Sequence, residues 1–137
     1  MTDGELLQRI ADTLKTEIGP AVEGEYPKTQ AFMAAVVLQK LGLQLARAAD
    51  HAQAAAADLD ALLTDLPALA GAAPLPAAVA DALADLRAAR NDAALCRLVE
   101  ALYGARDALG SGRFEALLNR VRRCLRHDID RRLEYAA

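Results

Sequence analysis

The chain has very few aromatic residues: no tryptophan, two phenylalanines and three tyrosines among 137 residues. It also lacks any stretch in which apolar and polar residues alternate over a useful length, so the sequence contains no strand signal. Alanine and leucine, which build most of its apolar content, lose little on entering a helix. A chain that is 54% hydrophobic yet poor in aromatics therefore predicts an all-α fold, an irregular bundle of five or six helices.

Long apolar runs and paired cysteine motifs are absent as well. No run of about 18 apolar residues could span a membrane, and the N-terminal "MTDGELLQRI" has no apolar region typical of a secretory signal. Cys96 and Cys124 show no C-x-x-C spacing and are interpreted as reduced thiols, with a disulfide between them as the alternative. We expect a cytoplasmic protein with one domain over residues 1–137.

The parts of a catalytic or metal site are also missing. Ser111 is the only serine, and "GSGR" follows a helix rather than a strand, so neither a nucleophile elbow nor a phosphate loop is indicated. His51 and His127 lie far apart, and Cys124 with His127 would need two further metal ligands. The sequence therefore predicts no catalytic residue, no metal and no cofactor; an enzyme with dispersed residues is the weakest alternative.

The first helix is predicted over Asp3–Ile18. Thr2 and Glu5 have capping-box spacing, and one face collects the apolar residues Leu6, Leu7, Ile10, Leu14 and Ile18. "GPAVEGEYP" then predicts a break. Glu25 and Tyr26 fall in that segment and are candidates for the mouth of a pocket, with a plain surface loop as the alternative.

The segment from Phe32 to Ala46 is apolar on nearly every side and predicts a central buried helix. Gly42 within it predicts a close approach of another helix. A single helix over residues 27–66 would measure roughly 60 Å, which is long for a compact domain. We therefore expect a break near residues 49–51, and one continuous helix is the alternative.

Proline and glycine divide the remainder of the chain. "PALAGAAPLP" (67–76) predicts a loop and is the best place for a subdivision of the domain. Helices are predicted over 77–90, from a cap at Asn91 or Asp92 to about Leu109, and from Arg113 to Tyr135, with a "GSG" turn at 110–112. Their predicted core positions are Val79, Leu83, Leu86, Leu95, Leu98, Val99, Leu102, Phe114, Leu117, Leu118, Val121, Leu125 and Ile129.

The segment "RVRRCLRHDIDRR" (120–132) holds six arginines. On a helix, Arg120, Arg123, His127 and Arg131 fall opposite the apolar stripe. This face has three interpretations: a solvated face, a surface for an anion or a protein partner, or a contact with the acidic N-terminal half. Nucleic acid is not expected as a partner, because the net charge is −3 and no aromatic residue interleaves with the arginines.

Two segments together, "ELLQRIADTLKTEIGPAVEGEYPKTQAFMAAVVLQKLGLQLA" (5–46) and "FEALLNRVRRCLRHDIDRRLEYA" (114–136), resemble a family of small all-helical bacterial domains of unknown function. Its members are found beside aminoglycoside-phosphotransferase-like kinases and acyl-CoA dehydrogenases. The resemblance implies an accessory role in acyl-CoA or phosphotransferase-type metabolism. The chain departs from the family at "MAAVVLQK", which lacks a polar step, and residues 50–110 match little. The family supplies no catalytic residue.

The absent chemistry and the charged helix face favour a non-catalytic helical accessory protein that binds a protein partner or itself. The alternative is a protein that binds an anionic acyl or nucleotide-like molecule. An apolar cavity near residues 32–45 would favour the alternative, whereas an exposed apolar patch would favour the accessory protein.

Overall fold

The computed structural model describes residues 1–134, and these contain helices and no strand. The helical elements are, in chain order, α1 (Asp3–Thr13), a π-helical segment (Leu14–Ile18), α2 (Gly19–Ala21), α3 (Glu25–Ala70), α4 (Ala77–Ala89), α5 (Asp92–Gly104), α6 (Arg106–Leu109) and α7 (Ser111–Leu133). The first three follow one another without interruption, so the described residues form six continuous helical runs. The predicted all-α class with five or six helices is confirmed.

Side-chain caps begin two of the helices where the sequence places them. The Thr2 hydroxyl accepts a hydrogen bond from the Glu5 amide at 3.2 Å, and the Glu5 carboxylate accepts one from the Thr2 amide at 2.8 Å. This is the predicted capping box at the start of α1. At the start of α5, the Asn91 side chain accepts from the Ala94 amide at 2.8 Å, so Asn91 rather than Asp92 is the cap.

The first helical run does not end at Ile18 as predicted but continues through Pro20 to Ala21. Proline has no N–H to donate to the preceding turn, and the turns before Pro20 widen into the π-helical segment. The Gly19 amide there donates to the Leu14 carbonyl, five residues back. A Cβ on Gly19 would lie 2.8 Å from that carbonyl oxygen, so this turn requires glycine.

The predicted break near residues 49–51 is wrong, because α3 is one helix from Glu25 to Ala70. Between Gly42 and Pro67 the chain has no glycine or proline and is rich in alanine, the residue that most favours helix. The helix also passes Pro67, so the predicted loop 67–76 shortens to 71–76. Pro67 cannot donate to the Leu63 carbonyl, and the Arg87 guanidinium donates to that oxygen instead, at 3.3 Å.

The chain divides into two compact units, and this explains how so long a helix is accommodated. The first unit is Met1–Gln53 together with the chain from Arg131 onward, and the second is Ala54–Asp130. Each unit uses only part of α3, so the length of the whole helix does not have to match one compact core. Compactness does not measure independent folding, so a single domain over 1–137, with its subdivision at 67–76, stays a prediction.

The large buried side chains of the described residues all belong to the second unit. They come from the end of α3 and from α4 to α7, and they include Leu62, Leu86, Leu98, Leu102 and Val121, which are almost fully enclosed. Most of the predicted core positions in this unit are confirmed. Val99 and Leu125 are only partly buried, and Ile129, predicted inside, is exposed because the apolar stripe of α7 leaves the core before it.

The end boundaries of α7 also differ from the prediction. Ser111 and Gly112 are already helical, and only Gly110, with φ of +79°, forms the predicted turn. The helix ends at Leu133, and the predicted end at Tyr135 lies outside the described residues.

The first unit has no core of large side chains. Its buried residues within the described ranges are glycine or alanine: Gly4, Ala11, Gly19, Ala35 and Gly42. The prediction of a central buried helix over residues 32–46 is therefore wrong. Among the described residues of the unit, only one helical run packs on this part of α3, and it covers one side of a helix that is apolar almost all round.

Candidate interaction surface

The two helices of the first unit run antiparallel and touch through glycine. A Cβ on Gly4 would lie 3.0 Å from the Gly42 carbonyl oxygen, and one on Gly42 would lie 3.1 Å from the Gly4 carbonyl oxygen. The Gln8 side-chain amide donates to the Gln39 carbonyl at 3.0 Å. The close approach predicted at Gly42 is confirmed.

Small residues repeat along this contact at seven-residue intervals. Gly4 and Ala11 are seven apart on α1, and Ala35 and Gly42 are seven apart on α3. Seven residues are close to two helical turns, so each pair lies on one side of its helix. This spacing is the sequence signal that could have identified the contact, and it also explains why the large apolar residues of both helices are left outside it.

Polar side chains form a second contact in this unit, between the chain after α7 and α3. The carboxylate of Glu134, just after α7, accepts a hydrogen bond from the Arg47 guanidinium at 2.8 Å and lies 3.1 Å from the His51 ring nitrogen Nε2. These contacts join the end of the described chain to α3. Arg47 and Glu134 are exposed and His51 is partly buried, and these contacts leave the apolar residues nearer the start of α3 uncovered.

Uncovered large apolar residues lie on two sides of this part of α3. One side holds Phe32, Val36 and Leu43, and the other holds Met33, Val37, Leu41 and Leu45. On α3, Met33, Val37, Leu41 and Leu45 follow one another at four-residue intervals, which makes a ridge along the helix. All four ridge side chains are exposed. Around the axis of α3, the mean direction of Val37, Leu41 and Leu45 is about a third of a turn from the side that packs on α1.

Residues of α1 extend this ridge. Leu6 and Ile10 are also exposed. Around the axis of α1, their mean direction is about a third of a turn from the side of Gly4 and Ala11, in the same rotational sense as the ridge on α3. Because the two helices are antiparallel, rotations in the same sense bring both sets to the same side of the pair. We call this the apolar face, and its large residues are Leu6, Ile10, Met33, Val37, Leu41 and Leu45.

Two residues of the arginine face of α7 contact carboxylates of α3 and are not free to bind a partner. The Arg120 guanidinium donates to the Asp65 carboxylate of α3 at 2.8 Å, and its side chain is only 11% exposed. The His127 ring nitrogen Nδ1 lies 3.8 Å from the Asp58 carboxylate. Arg120 and His127 are seven residues apart, as are Asp65 and Asp58, so the two contacts are successive rungs between antiparallel helices. This geometry corresponds to the third interpretation, contact with the acidic N-terminal half.

The four predicted residues thus do not act alike. Arg123 is exposed and, within residues 1–134, makes no hydrogen bond or ion pair. Arg131 is partly buried and belongs to the first unit. The role of these residues in binding stays a prediction.

Glu25 and Tyr26, the candidate pocket mouth, lie in the first turn of α3 rather than in a loop, and both are exposed. An apolar cavity of about 10 Å³ lies in the second unit, lined by leucine and valine side chains such as Leu66, Leu83 and Leu98. That volume is about one water probe, far below the size of an acyl chain or a nucleotide. Nothing in this cavity supports the binding of an anion.

The described residues offer few groups for other chemistry. Across residues 1–134, no three or more His, Cys, Asp or Glu side chains come together as metal ligands would. Cys96 is exposed and Cys124 is buried, and within residues 1–134 neither forms a disulfide. In the same part of the chain, none of the helices combines the length and apolarity that crossing a membrane requires.

Comparisons of the chain with protein-family models, curated proteins and solved structures give no match. The resemblance to a family of small bacterial helical domains therefore stays a prediction.

Proposed function

We propose that the chain is a non-catalytic helical accessory protein that binds another protein chain through the apolar face. One observation carries the proposal. Within the described residues, the first unit buries only glycine and alanine, while large apolar side chains of α1 and α3 point to solvent, six of them together on the apolar face. A helix that is apolar almost all round is normally enclosed by its neighbours, and contiguous exposed apolar patches mark interaction sites.

Burying the apolar face against a partner is favourable in free energy. Burying the exposed half of a large apolar side chain contributes on the order of 1 kcal/mol. The six large residues of the apolar face together represent several kcal/mol that the isolated chain does not gain. A protein partner that presents its own apolar surface supplies this burial, and the close glycine contact holds the face in shape before binding.

A charged residue of the second unit offers a separate contact. Arg123 is exposed and without a partner among the described residues, so it remains able to bind a carboxylate, whereas Arg120 is occupied by Asp65. Exposed charges mostly affect the rate and specificity of association. An accessory role in acyl-CoA or phosphotransferase-type metabolism follows from the family resemblance alone and is proposed on that basis.

The test is a pull-down with the tagged chain from its native host, in which a differently tagged copy of the chain is also expressed. The matched pair of variants is Leu41→Glu and Leu69→Glu. Both leucines lie on α3 with similar exposure, 43% and 40%, but only Leu41 is on the apolar face. The capture is made at low salt and at about 1 M salt, where exposed charges are screened within a few ångströms.

We expect a stoichiometric protein, whether the second copy or another chain, that persists at high salt, is lost with Leu41→Glu and is kept with Leu69→Glu. Loss of the partner at high salt, together with insensitivity to Leu41→Glu, would assign binding to the arginines instead. The absence of any stoichiometric chain in both salts would contradict the proposed function.

A further inference from the structure

We infer that the occupant of the apolar face is a second copy of this chain, so that two first units form a four-helix interface related by a two-fold axis. The inference rests on the proposed function and names its partner. Three observations support it: the area of the face, its apolar composition and the incomplete layer that the helix pair forms.

The area of the face fits a dimer. Six large side chains, each roughly half exposed, present on the order of 500 Å² of apolar surface. The alanines between them and the polar residues at their edges bring this toward the roughly 800 Å² that each partner contributes to a standard interface.

The composition of the face fits a copy of itself. Its six large residues are apolar, and the exposed Asp3, three residues before Leu6 on the same side of α1, stands at the end of this row. Two faces can therefore meet with Asp3 at the edge, where water reaches it, and neither must bury an unpaired charge. A two-fold axis places the same surface patch on both sides. The ridge of Met33, Val37, Leu41 and Leu45 has four-residue spacing, and two such ridges interdigitate at a crossing angle of about 50°.

The pair of α1 and α3 forms a single layer of helices, whereas a stable domain consists of at least two packed layers. Secondary structure buries its apolar side against a second layer, and within the described part of the first unit no second layer covers the apolar face. A second copy supplies two more helices with the required apolar side. Closed two-fold dimers are the most frequent assemblies of identical chains.

The experiment measures the mass of the full chain in solution by light scattering after size-exclusion chromatography, from about 1 to about 200 µM and in low and high salt. We expect twice the chain mass of 14.5 kDa at the higher concentrations, with little loss in high salt. Leu41→Glu should shift the protein to the monomer mass, and Leu69→Glu should leave the dimer intact.

A second measurement covers the case in which Leu41→Glu disturbs folding. Hydrogen exchange of the unmodified chain is compared at low and high concentration. Dimer formation should slow exchange in residues 33–45 at high concentration by at least several-fold, since association stabilises what it buries, while residues 77–104 change little. Equal exchange of residues 33–45 at both concentrations, with a mass of 14.5 kDa throughout, would overturn the inference.

The outcomes separate the inference from the proposed function. A monomer that still captures a different protein through Leu41 would overturn self-association and leave the proposed function standing. A mass that keeps growing with concentration would overturn the closed two-fold dimer in favour of open assembly. A monomer without any captured chain would contradict both.

Discussion

The ion pair between Arg120 and Asp65 allows a direct test of what the arginine face of α7 does. We consider a double-mutant cycle with Arg120→Met, which keeps an unbranched apolar stem, and Asp65→Ala. The cycle compares the free energy of unfolding of the unmodified chain, both single variants and the double variant. Differences in helix propensity cancel in the coupling free energy, which isolates the interaction between the two side chains.

The expected coupling is about 1 kcal/mol. Exposed ion pairs contribute about 0.2–1 kcal/mol, and hydrogen bonds to charged groups contribute about 1.5–3 kcal/mol. The pair lies between these limits, because the Arg120 side chain is 11% exposed while that of Asp65 is 51% exposed. The single changes should also differ: Asp65→Ala leaves a largely enclosed guanidinium without its partner, whereas Arg120→Met leaves a carboxylate that water can reach.

The assay is urea unfolding followed by the helical circular dichroism signal, with every variant at one protein concentration because association would alter apparent stability. Arg123→Met on the same helix is the matched control, since Arg123 is exposed and unpaired within the described residues. We expect no more than about 0.3 kcal/mol of coupling between Arg123 and Asp65. Equal coupling to Asp65 for both arginines would refute the assignment of Arg120 as an internal contact.

Two further predictions concern packing. Leu86→Ala removes a side chain with no exposed surface from the core of the second unit and should lower the free energy of unfolding by about 2–5 kcal/mol; a loss below about 1 kcal/mol in urea unfolding would contradict this core. Gly112→Ala should stabilise α7 by up to about 1 kcal/mol, because its added Cβ meets nothing within 4 Å. Gly42→Ala should gain nothing, because its Cβ would lie 2.8 Å from the Gln8 side-chain nitrogen and 3.1 Å from the Gly4 carbonyl oxygen; thermal melting that shows equal gains for both would refute the close contact.

Local signals in the sequence predicted the helix starts and the core of the second unit well. The capping box at Thr2 and the cap at Asn91 depend on residues at most three apart, and such interactions form whatever the rest of the chain does. The periodic apolar residues of α4 and α5 lie where the helical repeat predicts them. The close approach at Gly42 was also predictable, because a missing side chain permits contact that other residues prevent.

The errors came from interactions between distant residues. The break expected near residues 49–51 followed from a limit on the length of one compact core, and the chain avoids that limit by dividing α3 between two units. The helix continues past Pro67 because Arg87, twenty residues later, donates to the carbonyl that proline leaves free. Neither circumstance leaves a local signal in the sequence.

The candidate site shows the same division. Sequence alone determined that the segment 32–46 is helical and apolar, and that arginines line one side of α7, because these properties belong to single helices. Tertiary structure decided which apolar helix is enclosed and which charge is occupied. Small residues at the contact of α1 with α3 leave the large ones outside, and Asp65 stands where it can bind Arg120. Burial and ion pairing depend on which residues pack against a helix, and the sequence of one helix does not specify those residues.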